Sequence, residues 1–226
     1  MSEDQTRHSL AREVELISDP DRLAEREALN GLRQYDAVIE MVEYFNHPDR
    51  PFRLRPSQLL HLHRIALEGI SSYAGNFRPA GIEIGGSRHQ PVGAHQVPEL
   101  VEDLCEYINA NWEKQTAIYL ASYVLWRLNW IHPFTDGNGR TSRAVSYLVL
   151  SCKIGGILPG KKTIPDQIAE NKLPYYQALE AADKGAGHGQ PDLTKTEEMI
   201  SMMLARQLYA VHADASGTAG IEGENS

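Results

Sequence analysis

The stretch from Thr116 to Trp130, TAIYLASYVLWRLNW, constrains the fold most, because apolar residues occupy nearly all of it. A helix that is apolar all round needs neighbours on every side, so this segment is predicted to be the central helix of a core. Its most apolar part ends at Trp126, is followed at once by Arg127 and is too short to span a bilayer. The pattern therefore predicts a buried helix rather than a membrane anchor.

Further helices are predicted on both sides of this segment from apolar spacing and from helix start and stop signals. Between residues 22 and 45, one helical face is predicted to carry Leu29, Leu32, Ile39, Val42 and Phe45. The other predicted helices cover residues 56–69, 97–112 and 140–154, a segment from Asp166, a segment from near Pro174, and a segment from Thr194 to about His212.

The only β element that the sequence predicts is a short hairpin, in which Ile82 and Ile84 alternate with Glu83 before a turn at Gly85 and Gly86. The predicted fold class is mainly α, a helical bundle with a short β-hairpin flap. A length of 226 residues suits one medium domain, which is predicted to cover residues 22–212. Residues 1–21 are predicted to be an N-terminal extension, and residues 213–226 a flexible C-terminal tail.

The charge balance and the cysteine count exclude some classes of function. The chain has 22 basic and 30 acidic residues, a net charge of −8, which argues against direct binding of nucleic acid. Its two cysteines have no metal-ligand spacing, so neither a disulfide framework nor a zinc site is expected, and the cytoplasm is the expected location. The charged N-terminus lacks the apolar run of a secretory signal.

The segment His132–Arg140, HPFTDGNGR, lies between the apolar helix and a helix predicted to begin around Asn138 or Gly139. At such a helix N-terminus, backbone N–H groups and the positive end of the helix dipole attract an anion, and glycines allow its close approach. Arg140 and Arg143 are three residues apart, so both guanidinium groups leave the same helix face. Two arginines beside exposed amides favour a polyphosphate over a single carboxylate.

An acid and a base complete this segment. Asp136 alone would repel an anion, but its carboxylate fits a Mg²⁺ ion whose coordination shell the phosphates complete. His132 can titrate near neutral pH and take a proton from an attacking nucleophile. The residues therefore predict nucleophile activation, metal binding and phosphate binding in one loop.

The longer segment HPFTDGNGRTSR resembles the signature of Fic-domain proteins of the Fic/Doc superfamily, HxFx(D/E)GNGRxxR, at every specified position. The segments GNFR at Gly75–Arg78, IEIGGSRHQPV, VPEL and PYYQAL are similar to the family's surroundings in the same order, over roughly residues 22–185. The resemblance implies a Fic-like helical fold with a flap. It also implies an AMPylator, a protein adenylyltransferase that transfers AMP from ATP to a Ser, Thr or Tyr hydroxyl of a target protein and releases pyrophosphate.

The resemblance also implies roles for residues at matching positions. His132 resembles the general base, Asp136 the Mg²⁺ ligand, and Phe134 an anchor of the loop in the core. The phosphate-binding positions are Gly137, Asn138, Gly139, Arg140 and Arg143. The target-binding flap comprises Ile82, Glu83, Ile84 and Gly85, to which a target segment would add as a strand. The adenine pocket is expected to include Tyr175 and Tyr176, since an aromatic face stacks on a base.

Regulation by a glutamate is a further implication of the resemblance. Many Fic proteins carry [S/T]xxxE[G/N], whose glutamate pairs with the second signature arginine, here Arg143. Glu13 follows Ser9 by four residues in a helix-compatible context, although a valine replaces the expected Gly or Asn. Glu222 lies in TAGIEG, which fits the letters but belongs to the glycine-rich tail. A separate, antitoxin-like inhibitory partner is the remaining alternative.

Two alternatives to an ATP-dependent AMPylator stay open at this point. Nothing in the loop recognises the base, so UTP, GTP or a diphosphate-linked choline could replace ATP as the donor. The chain could also be a nucleotide-binding regulatory module with little activity. The intact pair Gly139-Arg140 favours nucleotidyl transfer over the kinase-like branch of the superfamily, in which the signature is altered.

Overall fold

The structure is a computed structural model that describes residues 9–10, 16–85, 89–187 and 189–216, with the backbone alone described for residues 9–10 and 212–216. Within these ranges the chain forms eight α-helices and two short strands. The helices are α1 (Pro20–Phe45), α2 (Pro56–Leu67), α3 (Val97–Asn111), α4 (Ala117–Ile131), α5 (Asn138–Ile154), α6 (Ile164–Glu170), α7 (Leu173–Ala186) and α8 (Thr194–Ser216). The strands are β1 (Ser9–Leu10) and β2 (Glu83–Ile84). The predicted fold class, mainly α, is confirmed.

Helices α4 and α5 form the centre of the fold and pack against each other more extensively than any other pair of elements. α4 buries eight of its 15 residues and α5 buries eleven of its 17. α1, α2 and α6 pack against α5, while α3, α7 and α8 pack against α4. The prediction that the apolar segment forms the central helix is confirmed. In the described part of the chain, no helix combines the length and the apolarity that crossing a membrane requires.

The limits of the two central helices follow from local chemistry. The Thr116 hydroxyl accepts a hydrogen bond from the Tyr119 N–H at 3.1 Å and so caps the start of α4. α4 ends at His132, which has a left-handed backbone with φ of 53°. α5 follows Gly137, with φ of 73°, and stops at Gly155, with φ of 102°. A loop of only a few residues therefore joins the two most buried helices.

The predicted apolar face of α1 is wrong in its first half. Leu29 and Leu32 are 48% and 67% exposed, whereas Asn30 and Gln34 are buried. The amide nitrogens of Asn30 and Gln34 donate to backbone carbonyls of α2 or of the residue that follows it, at 2.9 and 3.0 Å. Polar side chains can therefore face α2, because their hydrogen bonds offset the loss of water. Val42, in the second half, is buried as predicted.

The predicted hairpin is replaced by a different strand pair. β2 pairs antiparallel with β1, which belongs to the N-terminal extension. Residues 89–92, where a returning strand was expected, form no strand. Ser9 therefore lies in a strand and not in the candidate inhibitory helix. An exposed strand edge offers backbone donors and acceptors to any extended segment near it, which explains how the extension takes the place of the hairpin partner.

Two helix ends also differ from the prediction. α1 begins two residues before residue 22, because the Asp19 carboxylate caps it by accepting from the Arg22 N–H at 2.9 Å. α8 continues to Ser216, so the first residues of the predicted tail, from 213 to 216, are helical.

Gln207 joins α8 to the centre of the fold through its side-chain amide, which is 1% exposed. The amide nitrogen donates to the Tyr147 hydroxyl at 3.0 Å and to the carbonyls of Leu158 and Pro159 at 3.3 and 3.1 Å. The amide oxygen accepts from the Ile164 N–H at 3.2 Å. One buried side chain thus satisfies polar groups of α5, α6 and the connection between them.

Gln207→Leu is expected to lower the free energy of unfolding by about 3 kcal/mol, because it leaves several buried polar groups without their partner. Urea denaturation measures this change. Gln177→Leu, at an exposed position of α7, is the matched control and should change the free energy by less than about 0.5 kcal/mol. Equal losses in the two variants would contradict the assignment.

Candidate active site

The loop between α4 and α5 begins at His132 and ends at Gly137, both with a left-handed backbone. A Cβ atom on Gly137 would lie 2.3 Å from Cδ2 of Leu67, which is fully buried and has no room to move. Glycine is therefore required here for two reasons, the positive φ and the direct contact of the backbone with α2. The contact sets where α5 begins.

The side chain of Asn138 holds this loop from inside. Its Oδ1 accepts from the N–H of Phe134 at 2.9 Å, and its Nδ2 donates to the carbonyl of the same residue at 2.9 Å. Phe134 is 1% exposed and anchors the loop in the core, as predicted. Asn138 therefore contributes to the predicted phosphate site by shaping the loop. It also lies in the first turn of α5, where backbone N–H groups have no acceptor within the helix and can donate to a ligand.

The orientation of the His132 ring is fixed by both central helices. His132 is 7% exposed, and its Nδ1 lies 3.3 Å from the carbonyl oxygen of Asn129 in α4. A neutral ring that donates from Nδ1 to this carbonyl carries its lone pair on Nε2. Asn129 in turn donates to the hydroxyl of Ser142 in α5 at 2.8 Å. The hydrogen bonds thus favour the tautomer that can act as a base through Nε2.

Two carboxylates bind the guanidinium group of Arg140. Nη2 donates to Oδ2 of Asp136 at 2.7 Å, and Nη1 donates to Oε1 of Glu27 at 2.9 Å. Glu27 comes from α1, and the sequence analysis missed it, because it belongs to a charged helix face with no motif of its own. In this arrangement, a ligand anion must compete with Glu27 for Arg140.

Arg143 has different surroundings. Burial lowers the pKa of its guanidinium group from the ordinary value, and the charge of Arg140 lowers it further. The buried Tyr175 opposes part of this lowering. Within residues 16–85, 89–187 and 189–211, no carboxylate forms an ion pair with Arg143. Arg143 is partly buried. Because a charge that is shielded from water is normally paired, this cation is suited to a ligand anion.

A pocket of about 380 Å³ brings the predicted residues together. This volume is within the usual range of small-molecule sites. The predicted residues that line it are His132, Asp136, Gly137, Asn138, Gly139, Arg140, Arg143, Tyr175, Tyr176 and Ile84. The other predicted flap positions, Ile82, Glu83 and Gly85, do not line it. The lining residues that the sequence analysis did not predict are Glu27, Asn129, Ala169 and Lys172.

The two tyrosines differ in what they do in this pocket. Tyr175 is 2% exposed and opposes the lowering of the Arg143 pKa, so it supports the cation. Tyr176 is half-buried, with its ring centroid 5.5 Å from that of Tyr175. Tyr176 is therefore the better placed of the two to present a ring face to a ligand.

His63 is a supporting residue for which the sequence predicted no role in the site. It is fully buried, and its Nδ1 accepts from the N–H of Gly75 at 3.0 Å. In that tautomer, Nε2 donates to the carbonyl of Asp136, which lies 3.0 Å away. The ring also stacks on Phe134, with centroids 3.7 Å apart and planes 7° apart. His63 thus holds the loop from α2, and its position in a helix gave no sign of this.

Arg78 connects the loop to the flap. It is 3% exposed, and burial lowers the pKa of its guanidinium group. Nε donates to the carbonyl of His132 at 2.7 Å, Nη1 donates to that of Ala80 at 2.9 Å, and Nη2 donates to that of Val92. Three carbonyl dipoles therefore stabilise this cation. The segment GNFR, which the resemblance included, was the available signal for Arg78.

The candidate inhibitory residues Glu13 and Glu222 lie outside the described residues. In the described part of the chain, no three His, Cys, Asp or Glu side chains converge on a metal position. A single carboxylate still fits Mg²⁺, which is commonly held by one or two carboxylates together with substrate phosphates. The donor set of Asp136 is therefore compatible with a Mg²⁺ ion that arrives with a polyphosphate.

Glu27→Gln is expected to tighten the binding of tripolyphosphate about two- to fivefold, because it removes a half-exposed carboxylate that competes for Arg140. Isothermal titration calorimetry at constant ionic strength measures the affinity. Glu25→Gln, which removes the same charge at an exposed position two residues away on α1, is the matched control and should change the affinity less than twofold. Weaker binding in Glu27→Gln would show that the carboxylate supports the site instead.

Comparison with known proteins agrees with this geometry. Residues 53–150 match the Fic/DOC family profile. The chain is 29% identical over 134 residues to protein adenylyltransferase fic-1 of Caenorhabditis elegans and 32% identical over 129 residues to protein adenylyltransferase Fic of Drosophila persimilis. Each match covers 56% of this chain but only 24% of the relative, so the similarity spans about a quarter of those proteins.

Solved structures show the same fold. A fragment of Fic-1 from C. elegans aligns with a TM-score of 0.67 at 20% identity, covering 89% of this chain and 55% of that one. A Fic domain containing signaling protein from Bacteroides thetaiotaomicron aligns with a TM-score of 0.64 at 22% identity, covering 87% of this chain and 75% of that one. The Fic/DOC match covers residues 53–150, which include α2, α4, the loop between α4 and α5 and most of α5. The likeness to solved structures shows that the chain has the fold of Fic-domain proteins.

Proposed function

We propose that the chain is a Mg²⁺-dependent protein adenylyltransferase that transfers AMP from ATP to a Ser, Thr or Tyr hydroxyl of a target protein. The observation that carries the proposal is that His132 lines the same pocket as the partly buried Arg143, which no described carboxylate neutralises. The names of the relatives, protein adenylyltransferases, support the same chemistry.

In the proposed reaction, His132 takes the proton of the target hydroxyl through Nε2. The hydroxyl oxygen attacks the α-phosphorus, the bond to the bridging oxygen of the β-phosphate breaks, and pyrophosphate leaves. The contact of Nδ1 with Asn129 supports this step, because it holds the ring in the required tautomer and stabilises the imidazolium that forms.

The phosphates of ATP are proposed to lie at the N-terminus of α5, against Arg140 and Arg143. Preorganised N–H groups and guanidinium groups stabilise the charge that develops on the leaving pyrophosphate, and such positioning supplies most of the catalysis in phosphoryl transfer. Asp136 would hold Mg²⁺, whose charge offsets that of the phosphates when it is bound.

The flap residues Ile82–Gly85 are proposed to bind the target segment through main-chain hydrogen bonds. Ile84 is 7% exposed and lines the pocket, so a strand beside it passes close to the reacting groups. Main-chain bonds place little demand on sequence, and the identity of the target is therefore weakly encoded in this surface.

A regulatory module with little activity is the second candidate, and the contact of Glu27 with Arg140 favours it, since it opposes phosphate binding in the resting state. An antitoxin-like inhibitory partner, like the inhibitory roles of Glu13 and Glu222, stays a prediction.

Incubation with ATP labelled at the α-phosphate, Mg²⁺ and a cell lysate is expected to label protein, whereas ATP labelled at the γ-phosphate should give no label beyond that of the same lysate without the chain. His132→Ala should lower the labelling about 100-fold or more, because general-base catalysis is lost. His47→Ala, an exposed histidine outside the pocket, is the control and should retain full activity.

Label from the γ-phosphate would reveal kinase-like chemistry instead. Labelling that survives His132→Ala would remove the general base from the proposal. Competition by UTP, GTP or a diphosphate-linked choline identifies the donor.

A further inference from the structure

The N-terminal extension occupies the edge of the flap. β1 (Ser9–Leu10) is antiparallel to β2 (Glu83–Ile84), with Ser9 opposite Ile84 and Leu10 opposite Glu83. This is the edge on which a target segment is proposed to add as a strand. The chain therefore presents a segment of its own where the proposed function places its substrate.

The register selects one residue of this segment. Ile84 is the flap residue that lines the pocket together with His132 and Asp136. Its partner across the strand pair is Ser9, a residue with an aliphatic hydroxyl. Of the two residues of β1, only Ser9 carries the functional group that the proposed reaction consumes.

The chain connection between β1 and α1 favours the pairing of Ser9 with the flap. The strand is followed by α1, which begins at Pro20 and carries Glu27, another residue that lines the pocket. The connection from Leu10 to Pro20 is short, so the segment meets the flap at a high effective concentration. A target from solution must displace this segment before it can pair with β2.

From this placement we infer that Ser9 is an acceptor of AMP within its own chain. The inference rests on the proposed function and names a substrate for the same site. It does not depend on the predicted inhibitory role of Glu13.

The transfer to Ser9 makes one bond and breaks one bond at the α-phosphorus. The Ser9 hydroxyl oxygen forms a bond to the α-phosphorus of ATP, and the bond from that phosphorus to the bridging oxygen of the β-phosphate breaks. His132 accepts the hydroxyl proton, and pyrophosphate leaves with the electron pair of the broken bond. The product is an AMP phosphodiester on Ser9.

The experiment uses the full chain with Mg²⁺ and ATP labelled at the α-phosphate, followed by peptide mass spectrometry to locate the added AMP. Ser9→Ala is expected to lower the label on the chain about tenfold or more, and Ser9→Thr should retain it, because it keeps a hydroxyl. Ser18→Ala, at an exposed position outside the strand pair, is the matched control and should leave the label unchanged. Circular dichroism and the Tm should be the same in all variants, since Ser9 belongs to a strand of two residues and Ser18 to no helix or strand.

The dependence on protein concentration tests whether the transfer is internal. The initial rate per molecule is expected to stay constant when the concentration of the chain is raised about tenfold, whereas transfer between molecules would raise it in proportion. An AMP group located on another residue, with Ser9 unmodified, overturns the inference.

The lysate separates failure of the inference from failure of the proposed function. Labelled lysate proteins beside an unlabelled chain overturn the role of Ser9 and leave the adenylyltransferase in place. An absence of label both on the chain and in the lysate overturns both.

Discussion

The packing of the loop between α4 and α5 against α2 is the constraint on which the site depends. Gly137 touches the buried side chain of Leu67, His63 stacks on Phe134, and Asn138 binds both backbone groups of Phe134. These contacts involve backbone and buried side chains, so the loop has little freedom to move. They fix the start of α5 and the ring of His132 at the same time. The charge that develops in a reaction is stabilised best by groups that are already held in place in this way.

The two arginines of the site have different surroundings. Arg143 favours the binding of an anion, whereas the ion pairs of Arg140 oppose it. Arg140 already forms ion pairs with both Glu27 and Asp136. Arg143 is partly buried in the same pocket as Tyr175, and this burial lowers its pKa. An anion that reaches Arg143 offsets the cost of burying that charge, whereas contact with Arg140 displaces an existing ion pair. A net charge of −8 on the whole chain is thus compatible with a local anion site.

The helix positions and the loop between α4 and α5 could be predicted from the sequence, because apolar runs, prolines and glycines act locally. The buried face of α1 could not be predicted. Asn30 and Gln34 can be buried because their side chains donate hydrogen bonds to carbonyls 38 and 28 residues away along the chain. Glu27 and His63 were missed for the same reason, as their partners lie far along the chain. The pairing of Ser9 with Ile84 replaced the predicted hairpin because strand partners depend on which segments meet in space.

We propose that the N-terminus of α5 and Arg143 bind the phosphates of a nucleotide. Calorimetric titration with MgATP tests it most directly, with Arg143→Gln and, as a control, Arg64→Gln, whose side chain lies outside the pocket. The account predicts that the unchanged chain binds MgATP, that Arg143→Gln weakens binding about tenfold or more, and that Arg64→Gln changes it less than twofold. Equal affinity in Arg143→Gln, or no binding by the unchanged chain, would contradict it.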